Sequence, residues 1–333
     1  MIALPENLNN ELEKAARAIR AGRDFFIAVH RNPDGDCLGC ALAMASVLGR
    51  LGKTCFLYSV SPIPENLGFL PGIDRFTADA GVPSGRQFDT ALMMECSAPA
   101  RAGAVEGILA ATENTINLDH HSTFEPYGTV NAVAPGLSSV SELAGRLQTV
   151  LLGLPFTREE ADCYYTGVVT DTGRFQYPST TASTHRFAAE LIDAGADFAR
   201  INRLVYGVKA YPAVKLLGRA LEKLYLADGG RTAVSVLALE DFEDCAARSQ
   251  HTEEIVNYGV MIPGVRVSVL FREEPGRITV NFRSSGEVDV SAIAGEFGGG
   301  GHRAAAGCKH SGATLDELMG RILPAIAARY GRE

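Results

Sequence analysis

The 333-residue chain exceeds the size at which one hydrophobic core normally stops growing, so two domains are expected, and its 46% hydrophobic, 21% charged composition excludes the disordered and fibrous classes. A formal net charge of −8 excludes a protein that grips long duplex nucleic acid, which draws its affinity from many Lys and Arg on phosphates, and leaves short anionic substrates open. Seven cysteines, odd in number and spread from Cys37 to Cys308, read as reduced thiols of a cytoplasmic protein rather than a disulfide framework. The first 22 residues, "MIALPENLNNELEKAARAIRAG", are helical in period from Leu8 to Ala21, with no basic segment leading into an apolar one. No signal peptide is expected there, and no window reaches the roughly 18 apolar residues of a membrane span.

Strands are predicted at Phe25 to His30, Thr54 to Val60, Phe88 to Glu95 and Thr115 to Asp119, and helices at Cys37 to Leu51, Ser138 to Leu152 and Thr157 to Thr170. This α/β alternation, with near-continuous apolar strands, predicts a buried parallel sheet over residues 1–193. A mostly helical stretch over 194–217 reads as a connector. Within 218–333, "RTAVSVLAL", "VRVSVLFRE" and "GRITVNFRS" read as antiparallel strands of a smaller α/β domain, with a helix from about Leu239 between the first two. A helix near Val290 leads into "GGGGH", and Thr314 caps a final amphipathic helix.

The stretch "HRNPDGDCLG" crowds His30, Asp34 and Asp36 at the end of the first strand. Glu95 ends the third predicted strand, "DHH" (Asp119, His120 and His121) ends the fourth, and Asp171 follows the helix ending at Thr170. Each residue alone has an ordinary reading: Asp36 as a helix N-cap, Asp34 as a turn residue, His30 as a satisfied buried histidine, Glu95 as a solvated carboxylate. Carboxyl ends of neighbouring strands in an open α/β sheet line one crevice, however, and so many acids and imidazoles there need cations to neutralise them. Cys37 and Cys40 form a lone C-x-x-C without a second pair, which falls short of a structural zinc signature.

These residues resemble the DHH phosphoesterases. "HRNPDGDCLG" matches the family's first motif, "MEC" falls at its second, "LDHHST" is its third and "TDTGRFQYPSTT" its fourth, while "NFRSS" and "GGGGHRAAAG" resemble its C-terminal DHH-associated domain. The compact two-domain size is most similar to the nanoRNase and pAp phosphatase branch, rather than to the larger RecJ exonucleases. The resemblance implies two divalent cations. His30, Asp34 and the second-motif acid would hold one; Asp36, that same acid, His120 and Asp171 would hold the other. Mixed carboxylate and imidazole ligation suits Mn²⁺, with Mg²⁺ as the alternative. The family normally has aspartate where Glu95 stands, so either Glu95 bridges from a retracted backbone or one ion position is weaker.

The implied activity is hydrolysis of short oligoribonucleotides to mononucleotides, removal of the 3′-phosphate of pAp, or both. His121 and Asp119 are the expected catalytic residues besides the ion ligands, with His121 giving a proton to the leaving oxygen or hydrogen-bonding the phosphate. Arg283, Ser284, Ser285, Gly300, Gly301, His302 and Arg303 are the expected substrate contacts, so that a small single-stranded RNA or nucleotide bridges a cleft. Tyr127, Phe175 and Tyr177 are candidates for base stacking, with ordinary packing as the plainer role. The rival readings are a phosphodiesterase for linear or cyclic dinucleotide signals and a nucleotide-binding regulator with a weakened metal site. No membrane partner is expected, and the sequence leaves the oligomeric state open, a homodimer included.

Overall fold

The computed structural model describes residues 6–78 and 85–330; residues 1–5, the start of the stretch read for a signal peptide, lie outside the described residues. The chain divides into two units between Val208 and Lys209. The stretch read as a connector is therefore shared, with Phe198–Asn202 in the first unit and Tyr211–Glu222 in the second.

The first unit runs α1 (Glu6–Ala21), β1 (Asp24–Val29), α2 (Gly35–Arg50), β2 (Thr54–Ser59), β3 (Phe76–Ala78), β4 (Thr90–Met94), α3 (Glu106–Ala111), β5 (Asn114–Asp119), β6 (Val130–Val133), α4 (Val140–Arg146), α5 (Arg158–Asp171), α6 (Ala182–Asp193) and α7 (Phe198–Asn202). Its strands form one parallel sheet in the order β3-β2-β1-β4-β5-β6. Both faces are covered: Phe25, Ile27 and Val29 of β1 enter one apolar cluster, and Phe26 and Ala28 enter another. Strand order reverses between β1 and β4, and at such a switch point the carboxyl ends of the two strands open a crevice.

Helices α2 and α5 meet at their backbones. A Cβ added to Gly39 would stand 2.3 Å from the Cys163 carbonyl oxygen, and one added to Gly167 would stand 2.5 Å from Oδ1 of Asp36. This close approach brings Asp171, the last residue of α5, to Asp36 in the first turn of α2.

The second unit runs α8 (Tyr211–Glu222), β7 (Tyr225–Ala227), β8 (Thr232–Leu237), α9 (Leu239–Asp244), α10 (Asn257–Val260), β9 (Val267–Glu274), β10 (Arg277–Ser284), α11 (Val290–Glu296), β11 (Gly300–His302), β12 (Ala305–His310) and α12 (Leu315–Ala327). Its sheet has the order β11-β12-β10-β9-β8-β7. The expectation of three antiparallel strands holds for β9 with β10 and fails for β8 with β9, which are parallel. The segment between β8 and β9 carries α9 and α10 and is long enough to make the crossover that parallel pairing requires. Thr314 accepts from the Glu317 amide as the expected N-cap of α12, whose Leu318, Ile322 and Ile326 pack with Val280 and Phe282 of β10. Among the described residues no helix is long and apolar enough to cross a membrane.

Candidate active site

Val29 of β1 pairs with Met94 of β4, which pairs with Leu118 of β5. His30, Glu95 and Asp119 thus leave the switch point side by side. His30 is buried, and its Nδ1 lies 3.0 Å from the Arg31 carbonyl oxygen, so Nδ1 carries the proton as donor. Its Nε2 then faces Asp34 Oδ2 at 3.5 Å and Glu95 Oε2 at 3.9 Å. His120 repeats the arrangement. Nδ1 donates to the Leu137 carbonyl at 3.3 Å, and Nε2 lies 3.2 Å from both Glu95 Oε1 and Asp171 Oδ2. A backbone carbonyl that fixes one ring nitrogen and leaves the other bare is the usual setting of a metal-ligating histidine.

The two acids of the first motif divide their work differently from the sequence expectation. Helix α2 starts at Gly35 rather than Cys37, and its N-cap is Asp34, whose Oδ1 accepts from the amides of Asp36 and Cys37 at 3.1 Å each. Asp36 is fully buried and accepts instead from Val140 and Ser141 at the start of α4, at 2.6 and 3.0 Å. The cap falls to Asp34 because only the residue preceding the helix has the extended backbone that lets its side chain reach back to those amides.

Glu95 is 2% exposed, not solvated, and its backbone is left-handed at φ 55°. Such a conformation costs a non-glycine residue about 1–3 kcal/mol and persists where its surroundings impose it. Here the Glu95 amide donates to the Leu118 carbonyl at 2.9 Å, and the turned backbone carries the carboxylate to within reach of both imidazoles. Asn32, Arg174 and Phe175 share positive φ in the loops that follow β1 and α5.

Asp119 is buried and takes three hydrogen bonds on Oδ1: from the His120 amide at 2.7 Å, the His121 amide at 3.0 Å and His121 Nδ1 at 2.7 Å. The carboxylate fixes the turn after β5 and the tautomer of His121, leaving its Nε2 for other partners.

These groups fit divalent cations. Oε2 of Glu95 and Oδ2 of Asp119 are buried without a hydrogen-bond partner, which is costly unless a cation compensates. Asp36, Glu95, His120 and Asp171 bring one donor each within 4.8 Å of one another, as do His30, Asp34, Cys37 and Glu95, and Glu95 with His120 and His121. Glu95 belongs to all three sets.

Burial, joined by the charges of Asp34, Asp36, Asp171 and Asp119, pushes Glu95 well above the ordinary glutamate range. Burial and then Asp36 push Asp171 well up, and burial raises Asp36. Burial would lower His30 and His120, yet Asp34 raises the first, and Asp171 with Asp36 raises the second. The same His30 partnership outweighs burial at Asp34 and holds it at about 2, and His121 outweighs burial at Asp119. Without cations the cluster therefore stores protons. Cys37 is the residue that sequence reasoning missed, because its membership in the cluster depends on how α2 turns against β4.

The substrate-contact candidates lie on the second unit. Arg283 of β10 and His302 of β11 both pair with Ala305 of β12, one on each side, so they share a row across the sheet. Ser284 Oγ accepts from Gly286 and Val288 and closes the turn after β10, while Ser285 and Arg303 are exposed. Within the glycine run, Gly298 at φ 70° ends α11, and a Cβ on Gly301 would stand 2.5 Å from the Ala305 carbonyl oxygen. Gly300 has open space around it. Of the stacking candidates, Tyr127 donates to the Cys96 carbonyl at 2.8 Å, Phe175 stacks on His185, and Tyr177 is exposed.

Residues 24–168 match the N-terminal domain of the DHH family, and residues 230–328 match the DHHA1 domain. A relative from Thermus thermophilus, named bifunctional oligoribonuclease and PAP phosphatase NrnA, is 32% identical over 312 residues, spanning 92% of this chain and 90% of its own. The chain belongs to the DHH family. The Bacillus subtilis protein of the same name is 29% identical over 84% of this chain and 88% of its own. A Bacteroides fragilis crystal structure described as an exopolyphosphatase-related protein superposes with a TM-score of 0.91 at 25% identity, covering 97% of this chain and 96% of that one. As a DHH phosphoesterase the chain is a hydrolase. The DHH match contains every residue of the acid and imidazole cluster except Asp171, and the DHHA1 match contains Arg283 and the glycine run.

Proposed function

We propose that this chain hydrolyses short single-stranded oligoribonucleotides to mononucleotides and removes the 3′-phosphate of pAp, acting in the cytoplasm. The observation that carries the reading is the meeting of His30, Asp34, Asp36, Glu95, His120 and Asp171 at the switch point of a chain whose relatives bear those activities in their names. Seven unpaired thiols accord with a reducing compartment.

Two divalent cations, Mn²⁺ foremost, are held in this reading by His30, Asp34 and Glu95 on one side and by Asp36, Glu95, His120 and Asp171 on the other. Such ions, when bound, supply a nucleophile at neutral pH and neutralise the charge of the phosphate oxygens. Glu95 spans the two sets with its two oxygens. Asp119 holds the His121 ring through Nδ1, so that Nε2 of His121, once it has taken up a proton, is placed to pass it to the leaving oxygen. Arg283 and His302 anchor the terminal phosphate, the arginine through its planar fork. The buried place of Glu95 among the other ligands favours an enzyme over a binding-only regulator.

Side-by-side turnover of a diribonucleotide, pAp and pyrophosphate tests the assignment. Cleavage of the first two is expected, and a rate on pyrophosphate exceeding both contradicts it.

A further inference from the structure

We propose that Cys37 is a ligand of the first ion position, giving that position a sulfur donor and a bias toward thiophilic divalent cations such as Zn²⁺ and Co²⁺ over Mn²⁺. The inference rests on the two-ion reading above and goes beyond it, since that reading gives the first position only nitrogen and oxygen donors.

Three observations carry it. Sγ of Cys37 lies within 4.8 Å of a ring nitrogen of His30, a carboxylate oxygen of Asp34 and one of Glu95, and those donors lie equally close to each other. Four donors around one ion, at bond lengths of about 2.0–2.3 Å, stand roughly 3.4–3.8 Å apart, so the His30 separations of 3.5 and 3.9 Å already approach coordination spacing. Glu95 is 2% exposed and its Oε2 accepts no hydrogen bond, so the same cluster holds a buried carboxyl oxygen that lacks a partner.

The sulfur itself is held in place and weakly engaged. Cys37 is fully buried in the first turn of the 16-residue helix α2, with its amide fixed by Asp34 Oδ1. Its thiol makes a 3.7 Å contact to the Asp34 carbonyl oxygen, a weak donor interaction. Cys40, one turn further along α2, lies instead 3.6 Å from Sδ of Met94. The C-x-x-C pair is therefore split: one sulfur belongs to the ligand cluster and the other to the core.

Ligation exchanges the S–H bond for a sulfur–metal bond and passes the proton to solvent, with no electron transferred. A thiolate beside imidazole and carboxylates favours softer divalent ions, whereas an all-oxygen-and-nitrogen set suits Mn²⁺.

Spectroscopic titration of the chelator-stripped full chain with Co²⁺ tests this without recourse to activity. The expected spectrum has visible d–d bands together with a near-ultraviolet thiolate-to-cobalt charge-transfer band. Cys37→Ser and Cys37→Ala should each keep the d–d bands and lose the charge-transfer band, and Cys40→Ala should keep both. In competition titrations the preference for Zn²⁺ over Mn²⁺ should fall roughly tenfold or more in the two Cys37 variants. Wild-type d–d bands without charge transfer, or charge transfer that survives Cys37→Ala or vanishes in Cys40→Ala, would overturn sulfur ligation and leave the two-ion reading standing. Absence of all bands with no Co²⁺ retained by the protein at equilibrium would overturn both.

Discussion

Oε1 of Glu95 lies 3.2 Å from Nε2 of His120, while its other oxygen lies 3.9 Å from Nε2 of His30, so one carboxylate faces two imidazoles of the cluster. The left-handed backbone at Glu95 makes this reach available to a side chain one methylene longer than aspartate. Glu95→Gln keeps the shape and removes the charge. At about pH 8 it should raise the melting temperature of the ion-free protein, because a buried carboxylate crowded by Asp34, Asp36 and Asp171 is relieved. The same variant should lose most of the stabilisation that Mn²⁺ confers and about 100-fold or more in turnover. Thermal unfolding with and without Mn²⁺ measures both effects on stability, and an unchanged Mn²⁺ response contradicts the bridging role.

The titration of the cluster predicts a pH dependence with a definite sign. Glu95, Asp36 and Asp171 have folded pKa values above their ordinary 4.5, 3.8 and 3.8, and His30 and His120 lie above 6.5. A raised value contributes stability that is complete below the unfolded pKa and is lost as pH climbs through the folded one. Asp34, held at about 2, acts oppositely, but its contribution is lost only as pH falls below its ordinary 3.8 and adds little slope near neutrality. Ion-free protein should therefore lose stability from about pH 5 to about pH 8, and the stabilisation by Mn²⁺ should grow over the same range as the ligands shed protons. Melting curves across that range, with chelator and with Mn²⁺, decide the matter; a stability that rises with pH in chelator would refute it.

Asp119→Asn should separate orientation from ion binding. The amide oxygen still accepts from the His120 and His121 amides but no longer carries the charge that fixes His121 through Nδ1. Turnover should fall by about 10–100-fold with KM little changed and the circular dichroism spectrum unaltered. A change confined to KM is the outcome that would assign Asp119 to substrate binding instead.

Arg283→Ala should do the reverse. If Arg283 anchors the phosphate as proposed, its loss weakens binding, so KM should rise while the rate at saturation stays near the wild-type value. A saturating rate that falls with KM unchanged would remove Arg283 from the anchoring role.

Much of this site was legible in the sequence because strand ends announce themselves. Apolar runs stop at Val29, Met94 and Leu118, and in a doubly wound sheet the residues that follow must converge. The short β3 and β6 carry too few residues to show a period, and the parallel pairing of β8 with β9 depends on a crossover rather than on local pattern. The role of Asp36 was equally hidden: the amides that hold it belong to Val140 and Ser141, more than a hundred residues on, and only the packing of α4 against α2 brings them there. The turned backbone of Glu95 and the place of Cys37 are likewise tertiary facts.

The most direct test of the two-ion hydrolytic centre is release of mononucleotide from an end-labelled diribonucleotide by chelator-stripped protein, before and after addition of Mn²⁺, in wild type and in Asp171→Ala. The account predicts no release without the ion, release once Mn²⁺ is added to the wild type, and none from the folded Asp171→Ala variant under either condition. Equal release with and without Mn²⁺, or a wild-type rate from Asp171→Ala, would contradict it.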